Sequence, residues 1–319
     1  MQNRTFLFTL FLSALLTLGF IVLLPMIPGA KTDPASAWAH GLYKQKLARL
    51  HQLRGNRIYV VSGSSSLFSL DTQVLSQAIG RPVLNLATHA GLGLTYILDR
   101  AEREMQPGDT IIFTPEYSLL EQSAAPNQLT IDFVTFFDRP YIATRPSAEQ
   151  THFYLGYGFI DSIVETLKTI RTGVQVGRPD LTIDDLGNAR GNTVALSVKD
   201  TVEFSSNSEP VPISRDALAA LQNWSTLAHE KHARILTFPS ALIHLPNWNT
   251  PDQRALRQQA RSIFQHLGMN SRGDDSTGWI EPDGIYDSAL HANDAGRAIY
   301  TRRIAVLLCR EIRCARLRK

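Results

Sequence analysis

The 319-residue chain has only two cysteines, Cys309 and Cys314, five apart near its end. Two thiols at that spacing do not make a zinc site. On one helix they would point to different faces, so two unrelated thiols and an exported disulfide both remain open readings. Charge of one sign is also scarce: 32 basic against 29 acidic residues leave a formal charge of +3. The mild excess sits in the tail Arg310, Arg313, Arg316, Arg318 and Lys319, which reads as a solvated helix end and not as a nucleic-acid surface. Cofactor and metal fingerprints are absent as well. Gly91-Leu92-Gly93 opens a helix after a strand, but Tyr96 stands where a dinucleotide fingerprint needs its third glycine. His229 and His232, in "HEKH", have the wrong spacing for a zinc protease helix. Asp274-Asp275 lies in a Gly/Ser-rich loop and reads as a turn rather than a calcium site. No cofactor and no metal are expected.

Between Thr5 and Ala30 no side chain is charged, and Phe6 to Pro28 is almost wholly apolar. At ~1.5 Å per residue such a run can cross a hydrocarbon core of ~30 Å. A cleaved signal has a shorter apolar core, roughly 7–15 residues, with small residues close behind. Here the nearest small-x-small site, Ala35-Ser36-Ala37, lies well beyond the run. Residues 1–30 are therefore expected to be an uncleaved signal anchor. Lys31, Lys44, Lys46 and Arg49 after the span pull towards the cytoplasm, and Arg4 pulls the other way.

What remains is rich enough to fold, since 44% of the chain is hydrophobic and 19% charged. Residues 31–56 read as a juxtamembrane linker, Pro34 to His40, and a short helix, Leu42 to Leu53. From Arg57 onwards short apolar strands alternate with amphipathic helices. Strands are expected at Arg57–Ser62, Pro82–Ala87, Thr110–Thr114 and Ala233–Phe238. Helices are expected at Leu67–Ile79, Leu92–Glu104, Ser214–Lys231, Pro251–Leu267 and from about Asn293 to Arg313. Continuous apolar strands between such helices predict a three-layer α/β sandwich with a central parallel sheet over residues 57–319. An insertion at about 147–212 interrupts it. Its first part, Ser147–Ile170, has helical periodicity and is expected to pack on the core; residues 171–212 read as loops and short strands that shape a site.

Chemistry concentrates in two places. "VVSGSSSLFS", residues 60–69, ends a strand on a glycine and three serines. A serine there sits at the carboxyl edge of a parallel sheet, where open α/β folds place ligands. It can be a nucleophile if a base and an orienting acid reach it, or it can be a helix N-cap. "GIYDSALHANDAG" supplies the missing groups: Asp287 and His291 are four apart and, on a helical turn, would share a face. The bland alternative is a capping aspartate and a surface histidine.

Gly63-Ser64-Ser65 and the paired Asp287 and His291 before the last helix resemble the SGNH, or GDSL-like, hydrolase superfamily, with Ser in place of Asp in the first block. That variant is similar to the membrane-anchored branch of teichoic-acid D-alanylation and alginate-type O-acetylation proteins. The resemblance puts Ser65 in the nucleophile position, and "NLATHAG" is similar to the second block, which makes Gly91 and the Ser65 backbone oxyanion donors. The third block is replaced by "TPEYSLLE", where Glu116 or Tyr117 falls near the missing asparagine, and a tyrosine hydroxyl could donate. The usual acid-to-histidine spacing is three, not the four found here. The resemblance implies an extracytoplasmic enzyme that transfers or removes O-acyl groups on a cell-surface polysaccharide, with a membrane-embedded acyltransferase as a partner. The alternative from another class is a noncatalytic assembly or carbohydrate-binding protein that keeps the fold.

Overall fold

A computed structural model describes residues 2–23, 34–123, 125–156, 181–193, 212–312 and 314. Along the chain run helices α1 (Gln2–Leu23) and α2 (Pro34–Leu50), strand β1 (Ile58–Val61), helices α3 (Ser64–Ser69) and α4 (Thr72–Ile79), and strand β2 (Val83–Asn85). Next come α5 (Leu94–Glu104), β3 (Thr110–Phe113), α6 (Tyr117–Leu120), α7 (Gln128–Phe137), α8 (Arg139–Ala143) and α9 (Ser147–Leu155). The hairpin β4 (Thr182–Ile183) and β5 (Ala189–Arg190) precedes α10 (Arg215–Glu230), β6 (Arg234–Thr237) and β7 (Leu242–Ile243). The chain closes with α11 (Pro251–His266), α12 (Asp275–Gly278), β8 (Trp279–Ile280) and α13 (Asp294–Glu311).

Two compact units result. One joins Met1–His40 to Ala125–Gly177, and the other joins Gly41–Ala124 to Arg178–Lys319. This division differs from the boundaries read at residues 31 and 57. In particular, Pro34 to His40 is not a linker but the first turns of α2, because proline's fixed φ suits a first helical position. In the smaller unit α1 exposes Phe6, Leu7, Phe8, Leu10 and Phe11. Its side chains are described for residues 4–19, and among the described residues no helix is long and apolar enough to cross a membrane. His40 stacks on Phe137 with ring centroids 4.2 Å apart, and Tyr141 meets Phe153 edge-on. Of the periodic stretch Ser147–Ile170, α9 carries Tyr154 exposed, while Phe159, Ile160, Ile163, Leu167 and Ile170 lie outside the described residues.

The larger unit is built on a four-stranded parallel sheet in the order β2-β1-β3-β6. Both its faces are covered, which is why its strands are continuously apolar. Ile58, Val60, Ile112 and Leu236 share one cluster with Leu75 and Ile79 of α4 and with Tyr300, Ile304 and Leu308 of α13. On the opposite face Phe113 meets Trp224 of α10 and Phe264 of α11, at centroid distances of 4.9 and 6.0 Å. Each such side chain contributes about 1.5–3 kcal/mol by leaving water. The chain leaves β1 towards β2 and later continues from β3 towards β6, so the strand order reverses between β1 and β3. The exits of these two strands flank the crevice where such sheets bind ligands.

Two local readings change in the structure. The helix expected over Leu67–Ile79 is two helices, because Asp71 adopts extended backbone and accepts hydrogen bonds from Gln73 N–H and Val74 N–H, restarting the chain as α4. Gly80, at φ +79°, then ends α4 in the left-handed cap that glycine favours. At the C-terminus α13 stops at Glu311, Ile312 is extended, and Cys309 and Cys314 form a disulfide. The two sulfurs therefore do not sit on opposite faces of one helix.

Candidate active site

Ser64 is the first residue of α3, directly past the carboxyl end of β1, and it follows Gly63, which is the N-cap without any side-chain cap. Each serine of the run does something different. Ser66 Oγ bonds Thr114 Oγ1, and Ser65 Oγ is buried with no hydrogen-bond partner. Ser64 Oγ lies 2.9 Å from His291 Nε2. On the other side of the ring His291 Nδ1 lies 2.6 Å from Asp287 Oδ1. The hydroxyl that faces the imidazole thus belongs to Ser64, not to Ser65. A helical start rotates successive side chains by about 100°, and here that rotation buries the second serine.

Asp287 and His291 do not share a helical turn. They sit in a closed loop whose ends are paired by an isolated antiparallel bridge, Ile285 with Ala292. Within it Tyr286 N–H donates to His291 O at 2.8 Å and His291 N–H to Ser288 O at 3.1 Å. A carboxylate four residues before the imidazole reaches it across this loop. Several side chains pin the loop. Ser69 Oγ accepts from Ala292 N–H at 2.9 Å and donates to Leu290 O at 3.1 Å. Ile243 N–H of β7 donates to Ala289 O at 2.7 Å. Phe68, almost fully buried, stacks on the His291 ring at 4.2 Å. The imidazole is left 15% exposed and the Asp287 side chain 31%.

The "HANDAG" run also becomes intelligible residue by residue. Asn293 caps α13, its Oδ1 accepting from Ala295 N–H and Gly296 N–H. A Cβ on Gly296 would lie 2.1 Å from Gly284 O, so only glycine permits this close approach of the last helix to the loop. The described part of the expected insertion braces the same loop. Asn192 Nδ2 donates to Ala292 O at 2.6 Å and to Phe68 O at 3.3 Å, and its Oδ1 accepts from Arg297 at 3.0 Å. Buried Asn85 donates to Ser66 O at 2.8 Å and to Asn188 Oδ1 at 3.2 Å.

The two backbone N–H groups expected to bind an oxyanion are otherwise engaged. Gly91 N–H donates to His89 Nδ1 at 2.9 Å, and Ser65 N–H donates to Glu116 Oε1 at 2.6 Å. Glu116 is fully buried and its second oxygen accepts from Gly63 N–H at 3.1 Å. Burial pushes the Glu116 carboxyl above its ordinary range, against the opposing pull of these N–H groups and of His291. Tyr117 opens α6, directly after Glu116; burial and Asp275 raise its phenol, while Arg257 and Arg261 lower it. Ser64 N–H meets no acceptor among the described residues. Among the described residues no group of three His, Cys, Asp or Glu side chains can hold a metal ion.

No family model matches this chain, and no curated protein matches it. The chemistry of the site rests on its own atoms. A hydroxyl, an imidazole and a carboxylate in sequence, at hydrogen-bond distances, form a relay able to remove a proton from Ser64. Sequence patterning missed which serine completes it, and it missed Glu116, Phe68, Ser69 and Asn192 as its supports. Two signals were present: Glu116 falls near the asparagine missing from the third block, and the insertion that holds Asn192 was expected to shape a site.

Proposed function

We propose that this protein is a membrane-anchored, extracytoplasmic SGNH-like enzyme that transfers or removes O-acyl groups, acetyl above all, on a cell-surface polysaccharide. The observation that carries the reading is the Ser64–His291–Asp287 relay at the sheet's carboxyl edge. Ser64 Oγ attacks the acyl carbonyl while His291 Nε2 takes its proton, and Asp287 holds the imidazole with its Nδ1 proton inward. His291 then returns the proton to the departing alkoxide, leaving an acyl ester on Ser64. A glycan hydroxyl or water, deprotonated by His291, attacks that ester and frees the serine. Ser64 N–H supports the developing oxyanion.

The anchor in this reading is the uncharged run from Thr5 to Ala30, of which α1 holds the part up to Leu23 and the rest lies outside the described residues. Thr9 and Thr17 hydroxyls donate to the carbonyls of Thr5 and Ser13, each at 2.9 Å, so these polar groups are satisfied within the helix. The Cys309–Cys314 disulfide supports an oxidising, extracytoplasmic compartment. A membrane-embedded acyltransferase that hands over the acyl group fits this placement.

A fluorophosphonate probe tests the reading: it should label the wild type, and Ser64→Ala should abolish the label. His291→Ala should lose turnover of a small acetyl ester. One observation favours the rival, a noncatalytic assembly or carbohydrate-binding protein of a cell-envelope polysaccharide pathway. Gly91 N–H and Ser65 N–H both already have protein acceptors. Wild-type protein that neither takes the probe nor turns over ester, yet binds glycan, would establish that alternative.

A further inference from the structure

The loop that leaves β3 grips the serine segment at every residue but one. Ser62 Oγ donates to Thr114 O at 2.6 Å, Gly63 N–H and Ser65 N–H donate to the two oxygens of Glu116, and Ser66 Oγ bonds Thr114 Oγ1. Ser64 alone meets His291 through its hydroxyl, while Ser65 Oγ has no hydrogen-bond partner. The grip is close as well as polar. A Cβ on Gly63 would lie 2.5 Å from one Glu116 oxygen and 2.7 Å from the other, so the carboxylate fits only against glycine. A carboxylate accepting from Gly63 N–H and Ser65 N–H holds the peptide that enters Gly63 and the peptide that leaves Ser64, so the backbone about Ser64, and with it the direction of the Ser64 Cα–Cβ bond, is held from both ends.

We infer that Glu116 is a positioning residue, which selects Ser64 among three adjacent serines as the one presented to His291. The inference deepens the proposed enzymatic reading and rests on it. In this role Glu116 acts through the backbone of Gly63 and Ser65. Its removal should therefore slow the chemical step and spare binding, because misplacing a reacting group by ~1 Å costs about 10²-fold in rate.

Glu116→Gln keeps the side-chain volume but sets an amide NH2 against one of the two N–H donors. With 4-nitrophenyl acetate, folded Glu116→Gln should lose at least ~10-fold in kcat with KM within about twofold of wild type. Its crystal structure should show Ser64 Oγ and His291 Nε2 beyond hydrogen-bond distance, more than about 3.5 Å apart. Unchanged kcat, with the 2.9 Å contact retained, overturns the inference. If Glu116→Gln does not fold, Glu116→Asp, which draws the carboxylate back by one methylene, takes the same two measurements. Should the wild type itself show no turnover, the enzymatic reading fails separately. The crystallographic separation in the variant then decides the positioning role: loss of the contact supports it and its persistence overturns it.

Discussion

Replacing Ser65 with alanine separates two neighbouring hydroxyls that look alike in the sequence. The Ser65 side chain is wholly buried and its Oγ has no hydrogen-bond partner. Leaving a hydroxyl in that state costs about 1–3 kcal/mol. The substitution removes that cost and forfeits only the dispersion contacts of one oxygen, at about 0.1–0.2 kcal/mol per atom pair. Alanine is also the better helix former by a few tenths of a kcal/mol. The backbone bond from Ser65 N–H to Glu116 is untouched, since it does not involve the side chain. The net expectation is a gain of about 1 kcal/mol, or a rise in Tm of about 2 °C. Fluorophosphonate labelling should continue at the wild-type rate, whereas Ser64→Ala takes no label. Denaturant unfolding followed by circular dichroism and gel-based probe labelling measure the two quantities. Loss of labelling in Ser65→Ala, or destabilisation by more than about 1 kcal/mol, would refute both the assignment of the nucleophile and the account of the buried hydroxyl.

Other expectations follow from the same contacts. Asp287→Asn should lower kcat by about 10⁴-fold, some 5 kcal/mol in the barrier, because an amide cannot hold the imidazole in the tautomer that faces Ser64; a variant retaining a tenth of wild-type kcat contradicts this. Lys46 is fully buried, donates to Ala87 O, and burial lowers its amine from 10.5 to about 7, partly opposed by Asp184. Between pH 7 and 10.5 the unfolded chain binds the extra proton, so this group makes stability rise with pH across that window and adds no slope below it. Urea titrations at several pH values should show that slope in wild type, up to about 5 kcal/mol in total, and a flatter one in Lys46→Met. The Cys309–Cys314 disulfide closes a short loop, and Cys314→Ser should cost about 2 kcal/mol, read as a lower urea midpoint with unchanged slope.

The strands and most helices of the α/β unit were legible because each is written in local periodicity. Ile58 to Val61 is an unbroken apolar run, and β1 forms there; Gly80 and Pro251 mark a helix end and a helix start where the sequence places them. One error arose where a single polar residue had two possible partners. Asp71 ended one helix and began another because its carboxylate found Gln73 and Val74 amides, and Arg190 from far along the chain. Pro34 opened a helix instead of a linker because a first-turn proline needs no N–H partner.

By itself the sequence determined that a serine would stand at the exit of an apolar strand and that an aspartate and a histidine would precede the last helix. Composition and order are enough for that, since strand exits and helix starts are set by neighbours in the chain. Which hydroxyl meets the imidazole was decided only by tertiary structure. The choice among Ser64, Ser65 and Ser66 depends on Thr114 and Glu116, some fifty residues away in sequence, and on a loop more than two hundred residues away. A rotation of one residue about a helix axis separates a reactive group from a buried one, and no local pattern encodes that angle.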